Sequence, residues 1–477
     1  MTPALLLAAL VMLTRLPFRS VQPFNWDAAN FALAVQHFDV RLHQPHPPGY
    51  PYYVALGALF NLPTHDVNAA LVAVSVLLEC VAVAALYLLG RAMFSPWAGA
   101  AAAIALTVSV TFWTYGEIAL AYPALAAFAT LVALFVYQTR CQGRDRLLAA
   151  AAAYAIGTGF RPDLAAFLLP LLAFGAWGQP RRRILQAAAV ACCGVLLWLL
   201  PVMLLSGGPA TYLQVFAAYA GTDVVERYAP TALGWTGLLA NLRDTVMYIG
   251  YALYADAAVV IGVLGLAWRR PLRDQWPLYG LLVVWLGPMA AFYLLVHIGD
   301  PGYVFGLLPA LLLAGIGGWR ALAGPRPGEL MQTVLGGGMA LAVLANTLLF
   351  LLYDQPLTLA GVRRNDVQVQ AQVEYVRALP PSEVMLVTYD SHRQFTLLLP
   401  EYQHSVWLDT TTPARQAFGI PPGVRWLVFT DDSVFFLLQS LPAAEADYLP
   451  GKTWIAKLPV TPPGTLVYEA GKLSLAP

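Results

Sequence analysis

Residues 67–90 read VNAALVAVSVLLECVAVAALYLLG, a stretch in which Glu79 is the single charged side chain. As a helix it would rise about 36 Å, enough to cross the ~30 Å hydrocarbon core of a bilayer. Working outward, comparable apolar runs recur near 3–18, 97–115, 118–138, 146–160, 164–179, 184–205, 246–267, 276–297, 303–319 and 330–353. Composition agrees: 59% of the 477 residues are hydrophobic and 11% are charged, where soluble domains carry about 25% charged residues. The expected fold is an all-α polytopic membrane protein with about eleven transmembrane helices.

The breaks between runs alternate in charge. One set carries Arg91, Arg140, Arg144, Arg146, Arg181, Arg182, Arg183, Arg269, Arg270, Arg273, Arg320 and Arg326. The other, before residue 355, carries only Arg19, Arg41, Arg161, Arg227 and Arg243, and it holds Asp27, Asp39, Asp66, Glu117, Asp163, Asp223, Glu226 and Asp300. The positive-inside rule places the first set, and with it the N-terminus, in the cytoplasm. The first apolar stretch lacks a basic leader and a small-residue cleavage site, so it reads as an anchor that is kept. Net charge is +1 and offers no electrostatic case for a nucleic-acid partner. Cys80, Cys141, Cys192 and Cys193 show no metal-ligand spacing and no disulfide framework. Basic residues are nearly all Arg, with lysine only at Lys452, Lys457 and Lys472. That usage points to a bacterium, and hence to its inner or plasma membrane.

Two stretches are long enough to fold outside the bilayer. The division expected is 1–354 as the membrane domain, with a first outer loop at 19–66, and 355–477 as a small extracytoplasmic α/β domain. Within the loop, Tyr52 to Leu62 is apolar but too short to span and should lie along the interface. In the tail, Val384–Thr388 and Trp426–Phe429 read as buried strands and Val373–Leu379 as a helix. Asp431 and Asp432 read as turn formers.

The first outer loop runs Pro23-Phe24-Asn25-Trp26-Asp27-Ala28-Ala29-Asn30-Phe31 and later His43-Gln44-Pro45-His46-Pro47-Pro48-Gly49-Tyr50-Pro51. Prolines fix φ and Gly49 permits a tight turn, so a rigid surface loop is expected to hold an acid and a base in place. A hydroxyl is a poor nucleophile until a carboxylate begins to remove its proton, and Asp27 is the candidate base.

A Trp-Asp first outer loop followed by His-Pro-Pro-Gly-Tyr-Pro resembles the GT-C superfamily of glycosyltransferases. The likeness is to glycosyltransferase family 39, the protein O-mannosyltransferase and aminoarabinose-transferase branch. Trp113-Thr114-Tyr115-Gly116-Glu117 with Tyr122, Gly159-Phe160-Arg161-Pro162-Asp163, and His297-Ile298-Gly299-Asp300-Pro301-Gly302-Tyr303 fall at matching outer loops, so the resemblance covers roughly residues 1–350. It implies a polyprenyl-phosphate-linked sugar donor, a hydroxyl-bearing protein, lipid or polysaccharide acceptor, and inverting transfer. It implies Glu117 as the second outer acid, placing acceptor or sugar. Arg161 and His46 would meet the donor phosphate, with His297 and Tyr303 as helpers and Asp163, Tyr50 and Tyr122 among the substrate contacts. No cofactor is required, and a divalent metal is left open. His46 stands where many relatives have Lys, and Ala28 follows Asp27 where relatives often have a second acid, which weakens a metal site built on such a pair.

Each candidate also has a plainer reading. Asp27 could cap a helix, His46 could brace the proline turn, Arg161 could pair with Asp163, Glu117 could be a solvated acid at a span end, and His297 could be an interfacial histidine. A transporter or lipid flippase is the rival function. It needs ionisable residues within several spans, where only Glu79 and, near an end, Asp256 occur. A non-catalytic scaffold would leave the Asp27 and His-Pro-Pro segments without a purpose.

Overall fold

The computed structural model describes residues 2–269, 276–324, 328–410, 414–441 and 444–476. Arg270, Arg273 and Arg326, counted above toward a cytoplasmic face, lie outside the described residues. The chain is mostly helical and forms two compact units. One comprises Met1–Arg19 and Ala34–Ala360, the other Ser20–Leu33 and Gly361–Pro477.

In the first unit the quoted stretch is a single helix, Val67–Met93. Asp66 starts it by accepting a hydrogen bond from the Ala69 N–H at 3.0 Å, the N-cap that satisfies an orphan donor. Around it pack the helices Thr2–Arg15, Pro51–Thr64, Pro96–Val108 and Pro123–Gln142. Among the described residues, six helical segments can cross a bilayer by length and composition: Val67–Met93, Pro123–Gln142, Arg181–Leu205, Pro230–Gly265, Pro277–Leu295 and Glu329–Leu352. A bent pair, Pro96–Val108 and Val110–Glu117, makes a seventh if taken as one span. Thr2–Phe18, Leu147–Phe160, Leu164–Ala176 and Leu308–Ala323 are apolar but shorter.

Three boundaries differ from the expected runs, each for a local reason. The run at 97–115 bends by 63° at Ser109, whose hydroxyl donates to the Ala252 carbonyl at 2.7 Å. The run at 118–138 becomes helical only at Pro123, a residue suited to the first helical position because it has no N–H to satisfy. The run at 246–267 is interrupted by the 3₁₀ turn Tyr254–Ala257. A break at such depth must satisfy its freed polar groups internally. Asn346 does this, donating to Asp256 at 2.8 Å and accepting from the Ala255 N–H at 3.0 Å. The helix Pro209–Tyr219, after Gly207-Gly208, was not expected.

One ion pair lies wholly inside this unit. Arg15 Nε donates to Glu79 Oε2 at 2.7 Å with both side chains fully buried, and Arg15 Nη2 donates to the Thr107 carbonyl at 2.7 Å.

The second unit is an α/β fold. Its strands are β1 (Val384–Thr388), β2 (Ser405–Trp407), β3 (Gln416–Ile420), β4 (Trp426–Phe429), β5 (Glu445–Leu449), β6 (Thr453–Pro459), β7 (Gly464–Glu469) and β8 (Lys472–Ala476). A mixed sheet runs β2-β1-β4-β6-β5, and an antiparallel one runs β3-β7-β8. β1 and β4 occupy the expected residues, and the expected helix at 373–379 is the C-terminal part of Leu359–Arg377. Val369, Val373 and Val376 on that helix pack with Val384, Leu386, Phe395, Val428 and Ile455. Asp431 and Asp432, expected as turn formers, instead tie distant segments together. Asp431 accepts from the Tyr389 and Ser391 N–H groups at 2.8 Å each, and Asp432 from the Trp454 N–H at 2.7 Å.

Candidate functional site

The His-Pro-Pro-Gly-Tyr-Pro turn is built by its backbone. Asp39 and Gln44 form an antiparallel bridge, and the Gly49 N–H closes on the His46 carbonyl at 3.1 Å. Gly49 has φ +119°, in the region open to glycine, and a Cβ there would meet Val202 and Val40 at 3.2 Å. Tyr50 then heads the Pro51–Thr64 helix. The turn brings the His46 ring to Tyr50, with Nε2 3.0 Å from the Tyr50 hydroxyl.

Arg161 ends the Leu147–Phe160 helix and is 3% exposed. Its Nη2 donates to Asp163 at 2.7 Å. Three tyrosine rings face the guanidinium carbon: Tyr122 at 4.3 Å, Tyr303 at 5.2 Å and Tyr50 at 5.4 Å. Ring quadrupoles attract a cation most strongly where water is excluded. Asp163 engages Nε and Nη2, and Nη1 makes no hydrogen bond with a described residue. The planar fork therefore keeps donors for a second anion, and a guanidinium suits phosphate oxygens.

The 297–303 loop closes the cluster. Asp300 accepts from the Gly302 N–H at 2.8 Å and from the Tyr115 hydroxyl. Gly302 lets the turn press on Tyr122: a Cβ there would lie 2.4 Å from Tyr122 Cγ. Tyr293 donates to the Tyr303 carbonyl at 2.6 Å. His297 stacks at 4.3 Å on Tyr228 and meets Tyr303 edge-on at 5.4 Å. Burial, with Arg161 nearby adding to it, lowers its pKa to about 4, so at neutral pH it offers hydrogen bonding rather than charge. Its Nδ1 is buried with no hydrogen-bond partner among the described residues.

Seven residues singled out in the sequence (His46, Tyr50, Tyr122, Arg161, Asp163, His297 and Tyr303) thus form one connected cluster. Sequence reading missed Tyr219, whose ring lies 6.1 Å from His46, and also Tyr228 and Tyr293. A tyrosine inside an apolar run gives no signal that separates a site wall from core.

Glu117 closes the Val110–Glu117 helix and is fully buried rather than solvated. It accepts from Trp113 Nε1 at 2.8 Å, and Arg15 lies 4.8 Å from the Trp113 ring. Asp27 belongs to the second unit, in the first turn of the Trp26–Gln36 helix, half-buried. Asn25 rather than Asp27 caps that turn, accepting from the Ala28 N–H at 3.0 Å. Trp26 packs on Trp407 at 5.6 Å and on His392 at 6.0 Å, and Arg393 lies 5.5 Å from its ring. Among the described residues no group of three or more His, Cys, Asp or Glu could hold a metal ion.

Residues 45–206, which take in the proline turn and Arg161, match the family described as dolichyl-phosphate-mannose-protein mannosyltransferase. The structure of ArnT from Cupriavidus metallidurans bound to undecaprenyl phosphate is similar over 95% of this chain and 97% of that one, with a TM-score of 0.60 at 11% identity. In fold, this chain is similar to that ArnT structure. The apo form of the same ArnT aligns over the same shares with a TM-score of 0.55. The archaeal oligosaccharyltransferase AglB from Archaeoglobus fulgidus, in complex with an inhibitory peptide and a dolichol-phosphate, aligns over 94% of this chain and 74% of that one, with a TM-score of 0.51 at 13% identity. No curated protein sequence matches the chain significantly. The fold that the GT-C resemblance implies, apolar helices with a small C-terminal sheet unit, is borne out.

Proposed function

We propose that the chain transfers a sugar, with inversion, from a polyprenyl-phosphate donor to a hydroxyl-bearing acceptor at the extracytoplasmic face of a bacterial inner membrane. The observation that carries this reading is Arg161: a buried guanidinium, ringed by three tyrosines, with donors remaining beyond its one carboxylate partner. A lipid phosphate is a fitting ligand, and the similar ArnT structure holds undecaprenyl phosphate.

In this reading Asp27 takes the proton of the acceptor hydroxyl. The oxygen then bonds the anomeric carbon as the bond from that carbon to the phosphate oxygen breaks, and the lipid phosphate leaves with both electrons. Arg161 stabilises the charge growing on it. Tyr50, Tyr122 and Tyr303 hold the guanidinium plane. His46 and neutral His297 supply hydrogen bonds to donor oxygens, and Asp163 fixes the direction of Arg161. Glu117 helps place the acceptor or sugar. The acids that a transport path would use, Glu79 and Asp256, are engaged by Arg15 and Asn346, which favours the enzyme over a flippase.

The test is incubation of purified protein with radiolabelled polyprenyl-phosphate sugars and a membrane extract, followed by identification of the labelled product. Transfer that depends on protein and donor supports the reading; absence of any labelled product with every donor overturns it.

A further inference from the structure

The second unit contains a histidine whose tautomer is set by its neighbours. Thr388, the last residue of β1, has one hydroxyl proton, and its Oγ1 lies 2.9 Å from the Val406 carbonyl oxygen. A carbonyl can only accept, so the proton is committed there. The same Oγ1 lies 2.8 Å from His392 Nδ1, a contact that then needs Nδ1–H as donor. A neutral imidazole has one N–H, so the lone pair resides on Nε2, which makes no hydrogen bond with a described residue. Burial, reinforced by Arg393, lowers the His392 pKa to about 4 and keeps the ring neutral at physiological pH.

The position matters because of what the ring touches. His392 and Trp407 pack on Trp26, the residue before Asp27, and Arg393 lies against the same indole. The Trp26 side chain is therefore held by three residues of the C-terminal sheet unit. Gln394 adds a fourth tie, donating to the Pro23 carbonyl at 2.9 Å.

We propose that His392 Nε2 accepts a hydrogen bond from a second N–H or O–H group of the acceptor substrate, beside the reacting hydroxyl, so that the C-terminal unit helps hold the acceptor for Asp27. This rests on the glycosyl-transfer reading above. The reacting hydroxyl's one proton goes to Asp27, which remains the base, and His392 orients the acceptor through the second group.

The experiment uses the full chain in lipid nanodiscs, with radiolabelled polyprenyl-phosphate sugar and membrane extract varied independently. His392→Ala should raise the apparent KM for acceptor about tenfold, the scale of one lost hydrogen bond, and leave the donor KM unchanged. His392→Asn keeps a group near Nδ1 but none at Nε2, and should behave like alanine. His392→Gln reaches the Nε2 position and should restore most of the acceptor affinity. Thermal unfolding of each variant separates misfolding from a binding defect. An acceptor KM for His392→Ala equal to wild type overturns the inference while glycosyl transfer stands. Equal impairment of the Gln and Asn variants in kcat, with both KM values unchanged, overturns it as well. Wild-type protein inactive with every donor removes the glycosyl-transfer reading and this inference with it.

Discussion

Arg161 and Tyr122 meet with the guanidinium carbon 4.3 Å from the ring centroid, although 38 positions of sequence separate them. The contact joins the Arg161 turn to the loop before the Pro123–Gln142 helix. It joins two separate sequence motifs in one cation site. If that site holds the donor phosphate, charge alone will not suffice. Arg161→Lys keeps the charge but loses the planar fork and much of the stacking. We expect kcat/KM for donor to fall on the order of a hundredfold in Arg161→Lys and further in Arg161→Met, measured as initial rates against donor concentration.

Gly302 permits the close approach that seats Tyr122 against the Pro301–Gly306 turn. Gly302→Ala would place a methyl 2.4 Å from Tyr122 Cγ and force that ring to move. The expected outcome is a loss of about 1–3 kcal/mol in stability together with reduced transfer. Tyr122→Phe, which keeps the ring, should retain the Arg161 stack. Thermal unfolding and turnover of the two variants, side by side, check this.

His297 gives a pH signature. A free histidine protonates near pH 6.5, and in the folded chain this one does so near 4. Between those values the unfolded chain binds a proton that the folded chain does not. The stability contributed by keeping His297 neutral is therefore lost as pH falls from about 6.5 to about 4, and changes no further below that. Unfolding midpoints at pH 7 and pH 5 should differ more for wild type than for His297→Gln.

The Arg15–Glu79 pair predicts a non-additive pattern. Removing one partner leaves the other charge buried without compensation, at a cost of about 3–5 kcal/mol, whereas replacing both by apolar residues of similar volume is often near neutral. Glu79→Leu should therefore unfold at a lower temperature than the double variant Arg15→Met with Glu79→Leu. Equal losses would show that the pair is not coupled.

Much of the fold was legible because its signals are local. A 27-residue apolar helix with an Asp cap and strands such as Val384–Thr388 announce themselves within a few residues. The site cluster was legible for a different reason: Arg161, Asp163, His297 and Tyr303 sit in short polar breaks between apolar runs, where few residues compete for attention. What stayed hidden was set by tertiary contact. The bend at Ser109 depends on a hydroxyl reaching the Ala252 carbonyl. The break at Tyr254–Ala257 depends on Asn346, 90 residues beyond Asp256. The grouping of Ser20–Leu33 with the C-terminal unit depends on Asp366, whose carboxylate accepts from the Val21 and Gln22 N–H groups at 3.0 and 2.9 Å. No periodicity encodes such long-range pairings. The burial of Glu117, which rules out the plainer reading of a solvated acid, was likewise hidden, since it is created by Trp113 and the surrounding helices.

The most direct test of the central claim compares wild type with Asp27→Asn for two quantities on the same preparation: binding of a polyprenyl-phosphate sugar and its transfer to acceptor. The account predicts that Asp27→Asn folds, binds the donor as wild type does, and forms no labelled product. Turnover by Asp27→Asn at a rate near wild type would contradict it.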